Sequence, residues 1–274
     1  PDTIVLTSME ADHLDIYHDK ETLQNSYFEF TELLENKSKL IVEEGLNNFF
    51  KNNLTYGFGS ESNLQIINIE VIDSSYQFDI KYLDKIHKNF SFKMPGKYNL
   101  LNAGGAILSC LVNKISVANI KSALSSYKGV KRRFDIHLEN QSYVYIDDYA
   151  HHPSEIDSLL NAVKEFYPDK KIIGVFQPHL FSRTKDFLKG FAKSLSVLDE
   201  LFLLPIYPAR ENPIKGINSS LLLSKISLKE KKIIFSESEL FPHLDNQTNF
   251  VLVTIGAGNI DEFIPKITNY MTNR

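Results

Sequence analysis

"YIDDYAHHPSEI", Tyr145 to Ile156, joins the end of a short apolar run to a polar loop, a proline and the start of a helical pattern. A buried strand that gives way to a helix across a polar turn is the unit from which parallel α/β sheets are built. The loop is the informative part. It crowds Asp147, Asp148, His151 and His152 beside Tyr149, although charge is costly to bury and a loop needs none of it.

The same alternation continues to the end of the chain through "KIIGVF", "TKDFLKGFAKSL", "ELFLLPIY", "NSSLLLSKI", "KIIF", "NFVLVTIG" and "IDEFIPKITNYM". Apolar strands separated by helices of this length predict an α/β domain with a mainly parallel sheet over residues 130–274. Residues 1–129 read differently. "TIVLT" and "KLIVEEG" are strand-like, and Glu21 to Leu34 carries apolar residues at helical spacing. "NLQIINIEVI", "SYQFDIKYL" and "KNFSFKM" alternate and predict antiparallel hairpins. A Pro-Gly turn then leads into the small-residue helix "KYNLLNAGGAILSCLV". The next helix has Ser116 as its cap and Gly129 as its stop.

Bulk properties narrow the function. A chain of 274 residues with 30 basic and 34 acidic side chains has a net charge of −4, which gives no support to nucleic-acid binding. One cysteine, Cys110, excludes an internal disulfide framework and fits a reducing compartment. No apolar run reaches the ~18 residues of a membrane span, and no secretory signal opens the chain. The first residues already read as a buried strand, so the chain is expected to be a fragment that begins inside a domain.

In an open parallel sheet, ligands bind at the carboxyl ends of the strands. Three polar clusters fall there: "DDYAHHP", "QPHLFSRT" and "YPARENP". Zinc held by His151 and His152 lacks the HExxH or CxxC spacing, and a serine hydrolase would need a G-x-S-x-G elbow. "IGAGN" resembles a dinucleotide loop, but Asp261 stands where the third glycine belongs and the motif follows the last strand. ATP chemistry meets the difficulty that no G-x-x-x-x-G-K-[ST] loop is present. Near the start, "SMEADHLD" clusters Glu10, Asp12, His13 and Asp15, either as a helix-capping turn or as a divalent-cation site through His13.

Taken in order, "SMEADHLDIY", "MPGKYNLLNA", "KRRFD", "DDYAHHPSE", "FQPHLFSRT", "YPARENPIKG" and "GAGNI" resemble the Mur ligase family of peptidoglycan synthesis. The resemblance runs over essentially the whole chain. It implies the second half of a central ATPase domain, with its phosphate loop upstream, followed by a C-terminal Rossmann-like domain. It also implies a cytoplasmic enzyme that uses ATP and Mg2+ to activate the lactyl carboxylate of UDP-N-acetylmuramate as an acyl phosphate and joins it to L-alanine.

By the same resemblance His13 is a magnesium ligand, Asn99 and Asn102 contact the adenine, and Arg133 reaches the phosphates. Asp148 serves the nucleotide, and His179 and Arg183 face the amino acid, a guanidinium fork suiting a carboxylate; His151 or His152 orients substrate or shapes the loop. His13, Arg133 and Asp148 are the expected catalytic set. Three positions depart from the family pattern: Ser8 for the usual Asn, Tyr98 for His, and Leu180 for Arg. A ligase that attaches a ready-made tripeptide to the same sugar, and a non-catalytic nucleotide-binding domain, are the alternatives. The fragment alone is expected to be inactive.

Overall fold

The computed structural model describes residues 1–9, 17, 19–36, 39–245 and 247–274. It forms two compact units, Pro1–Lys128 and Gly129–Arg274.

In the first unit, β1 (Ile4–Leu6), β2 (Leu40–Glu43), β3 (Leu54–Gly57) and β4 (Leu64–Ile72) pair in parallel, in that order. β5 (Ser75–Tyr82) and β6 (Lys85–Phe92) extend the sheet as an antiparallel meander. Its two tight turns place Asp73, Ser74, Leu83 and Asp84 at positive φ, the twist that two-residue hairpins require.

Asp19 opens α1 (Lys20–Glu32) by accepting the Thr22 N–H at 2.7 Å, and Ser116 caps α3 (Val117–Ser126) in the same way. α2 (Lys97–Val112) presses its backbone onto the sheet at Gly104 and Gly105. A Cβ there would stand 2.9 Å from the Ile66 and Tyr56 side chains, respectively, so a larger residue would have to push them aside. The Gly-Phe-Gly turn after β3 also needs its glycines. It wraps the Glu44 carboxylate, which accepts from the amides of Phe58 (3.2 Å) and Gly59 (2.8 Å) and from the Ser62 hydroxyl (2.8 Å). That cradle, built like an anion site, is filled by the chain's own carboxylate.

The second unit is a six-stranded sheet in the order β11-β10-β9-β12-β8-β7. β8 (Tyr143–Asp148), β9 (Lys171–Phe176), β10 (Glu200–Leu203), β11 (Lys231–Ile233) and β12 (Phe250–Ile255) are parallel. The edge strand β7 (Asp135–Glu139) runs antiparallel to β8. All six residues of β12 are buried, as expected of a central parallel strand covered on both faces. Helices α4 (Pro153–Phe166), α5 (Phe181–Asp186), α6 (Leu188–Leu195), α7 (Ser219–Lys225), α8 (Phe241–Leu244) and α9 (Ile264–Thr272) complete the unit.

Three features differ from the sequence reading. β3 falls in the stretch expected to form antiparallel hairpins, yet it pairs in parallel with β2 and β4. "DIHLE" forms β7, although its charged, half-exposed residues carry little strand pattern; pairing with β8 supplies what propensity does not. The single helix read over "TKDFLKGFAKSL" is two helices that meet at Phe187. The second of them lies close against α4. A Cβ on Gly190 would fall 2.9 Å from the Pro153 ring, and Ser194 donates its hydroxyl hydrogen to the Pro153 carbonyl at 3.2 Å.

Candidate active site

Because β8, β9, β10 and β12 are parallel, their carboxyl ends share one edge of the sheet, and the loops that leave them are stitched together. Gly256 N–H donates to Asp148 O (3.0 Å), Gln177 N–H to Ile255 O (3.0 Å) and Leu180 N–H to Tyr207 O (2.9 Å). The three clusters singled out in the sequence therefore meet within the second unit.

Adjacent residues on a strand point to opposite faces, so Asp147 and Asp148 serve different neighbours. Asp147 is fully buried and accepts from the Thr254 hydroxyl (2.7 Å) and from Arg132 Nε (3.2 Å). Arg132 also donates to the carbonyls of Gly256 (2.6 Å) and Gly258 (3.4 Å), and its Nη1 lies 3.6 Å from Asp261. Its fork is used up inside the fold. Arg133 is the reverse case: its side chain is 48% exposed and its nearest carboxylate oxygen, on Glu155, is 3.9 Å away. Of the two arginines in "KRRF", the second is the one free to meet a ligand.

Asp148 accepts the amides of Phe134 (2.7 Å) and Ala150 (2.8 Å), so each carboxylate oxygen is committed to backbone. In this geometry it positions the segment that carries Arg133. Burial is the leading influence on this carboxyl and pushes it up to about 6, against the pull of those two amides and of Arg133. The folded protein thus holds the proton more tightly than the unfolded chain, in which such a group titrates near ~3.9. The stability it contributes is complete below about pH 4 and is lost as pH rises through about 6, a change of about 3 kcal/mol. Unfolding free energies of wild type and Asp148→Asn, measured in urea across that range, should diverge by this amount, with the wild type losing ground as pH rises. A difference that stays constant with pH would refute the assignment.

The two histidines of the loop have separate tasks. His152 is the N-cap of α4: its Nδ1 accepts the Ser154 N–H at 3.4 Å, and its ring meets Phe187 edge to face at 4.5 Å. His151 Nδ1 lies 2.9 Å from the Tyr149 carbonyl, and its ring stands 6.2 Å from that of His179. Glu155 Oε2 accepts the backbone N–H of both His151 (2.8 Å) and His152 (3.1 Å).

His179 stacks on Tyr207 with ring centroids 5.7 Å apart, and its Nδ1 accepts from Arg183 Nη1 at 3.5 Å. Burial first, then the charges of Arg183 and His151, hold its pKa below the usual imidazole range. The Ser182 hydroxyl and amide both donate to Glu211, which ties the second cluster to the third; these bonds hold the Glu211 carboxyl low although burial acts against them. Leu180 sits between these groups at φ 71, a conformation few residues with side chains adopt.

The glycines of "IGAGN" make room for Gln177. The Gln177 amide oxygen accepts from Ile260 N–H (3.0 Å) and its nitrogen donates to Asn259 (2.9 Å). In the first unit, Asn99 and Asn102 lie one turn apart at the start of α2; Asn99 donates to the Pro95 carbonyl (2.7 Å) and Asn102 is exposed. The expected metal ligand His13, with Glu10, Asp12 and Asp15, lies outside the described residues. Among the described residues no group of three or more His, Cys, Asp or Glu side chains could hold a metal ion.

The sequence reading passed over Arg132, Glu155, Tyr207 and Glu211. Only Glu155 had a legible signal: a proline and then a glutamate, one and three positions after a capping residue, mark a helix start.

A family model described as the Mur ligase middle domain matches residues 1–110, and one described as the Mur ligase, glutamate ligase domain matches residues 132–258. The chain belongs to the Mur ligase family.

It is 47% identical over 267 residues to the UDP-N-acetylmuramate–L-alanine ligase of Flavobacterium psychrophilum, an alignment that covers 97% of this chain and 59% of that relative. The chain therefore spans about three fifths of the length of the curated relatives it matches. Among solved structures it is similar to the UDP-N-acetylmuramate–alanine ligase of Thermotoga maritima, with a TM-score of 0.78 at 23% identity over 98% of this chain and 60% of that one. The MurF ligase of Thermotoga maritima, solved in complex with ADP, gives a TM-score of 0.75 at 17% identity over 100% of this chain and 63% of that one. At such identities the two structures establish a shared fold. Leu180, at positive φ, leads into α5, and Arg183 on that helix is the guanidinium beside His179.

Proposed function

We propose that these residues form the middle and C-terminal parts of an ATP-dependent ligase that joins L-alanine to UDP-N-acetylmuramate through an acyl phosphate. The observation that carries this reading is the 47% identity, over nearly the whole chain, to a relative of that name. The loop geometry of the second unit agrees with it. A carboxylate attacking a triphosphate must overcome like-charge repulsion, and a half-exposed guanidinium such as Arg133 can neutralise the developing charge.

Asn99 and Asn102 are assigned to the adenine, whose donor and acceptor edges match a side-chain amide. Asp148 holds the Arg133 segment in place. Arg183, beside a neutral His179, is assigned to the amino-acid carboxylate, and His151 to the substrate side of the same cluster. Magnesium, when bound, offsets phosphate charge, and His13 is its proposed ligand. No helix among the described residues is long and apolar enough to cross a membrane, and we place the enzyme in the cytoplasm, where ATP is available.

The test is to supply a full-length ligase carrying these residues with L-alanine or with the ready-made tripeptide and to follow phosphate release. Turnover with L-alanine is expected. Turnover only with the tripeptide would transfer the assignment to the recycling reaction, and none with either would refute ligation.

A further inference from the structure

We infer that His151 is the proton acceptor for the incoming amine, with Glu155 as its positioning residue. The inference rests on the amide-ligation reading above. An amino acid arrives as an ammonium ion, which has no lone pair for attack until a proton is removed. The Tyr149 carbonyl 2.9 Å from His151 Nδ1 can only accept, so Nδ1 carries the hydrogen and the neutral ring keeps its lone pair on Nε2. Glu155 Oε2 lies 3.4 Å from the same Nδ1, where its charge stabilises the imidazolium that forms. That oxygen also accepts the amides of His151 and His152, so the carboxylate cannot turn away without stranding two donors.

The neighbouring imidazoles are fitted for other work. His152 caps α4. His179 accepts at Nδ1 from Arg183, which leaves its Nε2 a donor, and burial and the Arg183 charge hold its pKa low. The charged and titratable groups around His151 are Glu155, His179 with Arg183 behind it, the edge of the Tyr149 ring, and Arg133 by way of Glu155. One carboxylate thus opposes two arginines, and among the described charged side chains it is the one beside the imidazole.

In the step, the ammonium gives one proton to His151 Nε2. The freed nitrogen lone pair attacks the acyl-phosphate carbonyl, and the C–O bond to phosphate breaks. A second proton from nitrogen departs with the phosphate, and the amide keeps one hydrogen.

Hydroxylamine, which is unprotonated near neutral pH, separates this role from a structural one. His151→Asn keeps an N–H where Nδ1 stands but removes Nε2. In the full-length ligase it is expected to lower turnover with L-alanine by ~100-fold or more, the scale of general-base loss, while hydroxamate formation from hydroxylamine stays near the wild-type rate. Glu155→Gln should show a smaller loss, again confined to L-alanine. Equal losses with both acceptors, or no loss with L-alanine, would overturn the inference. A wild-type enzyme that forms no hydroxamate would overturn the acyl-phosphate reading beneath it.

Discussion

Arg133→Ala in a full-length ligase is expected to lower turnover by at least ~100-fold with little change in folding stability, and Arg132→Ala is expected to do the opposite. The two side chains are neighbours in sequence and both lie over the Tyr149 ring, yet their polar partners differ. Arg133 is half exposed, with one distant carboxylate. Removing it leaves no buried group stranded, and the effect falls on whatever anion it meets. Arg132 is bonded to Asp147 and to two backbone carbonyls, and Asp147 is fully buried. Cutting that arginine away leaves an uncompensated carboxylate in the interior, a loss of about 3–5 kcal/mol. Urea unfolding and steady-state kinetics on both variants check the pair. If Arg133→Ala turned over near the wild-type rate, or Arg132→Ala kept wild-type stability, the division of labour would be refuted.

The second large effect is expected at Gly256. Its φ is +146, and a Cβ there would stand 2.7 Å from the Gln177 carbonyl oxygen, a backbone atom held by the sheet edge. Gly256→Ala therefore combines a disfavoured backbone conformation with a contact that cannot relax, at a cost of roughly 2–6 kcal/mol. Gly216 provides the control. It has φ +84 with nothing within 4 Å of its Cβ position, so Gly216→Ala should cost only the conformational strain, about 1–2 kcal/mol. Thermal unfolding of the two variants decides. Equal losses would mean that the approach of Gln177 is not what fixes the glycine.

The parts of the fold that periodicity could reveal were those in which each residue's burial repeats along the chain. β12 is such a case, buried at every position, and so is the meander β4-β5-β6 with its alternation. β7 escaped because its five residues owe their conformation to pairing with β8. The break at Phe187 escaped because the helical pattern runs through it, and the close seat of Gly190 on Pro153 is a contact between distant residues. The same reason explains the site. "DDYAHHP", "QPHLFSRT" and "YPARENP" were legible as polar loops at strand ends. That His152 is a cap while His151 faces His179 depends on where α4 begins and on a loop that follows a different strand.

The sequence by itself determined the class of the fold and the three loops in which chemistry is concentrated, because composition, spacing and strand-helix alternation are local properties; the family came from the resemblance of its ordered motifs. Only the tertiary structure decided which member of each like pair is spent inside the fold: Arg132 and not Arg133, His152 and not His151. It also placed the Asp148 carboxylate on two backbone amides. Identical side chains differ in such a choice only through partners brought from distant parts of the chain, and those partners exist only once the sheet has formed.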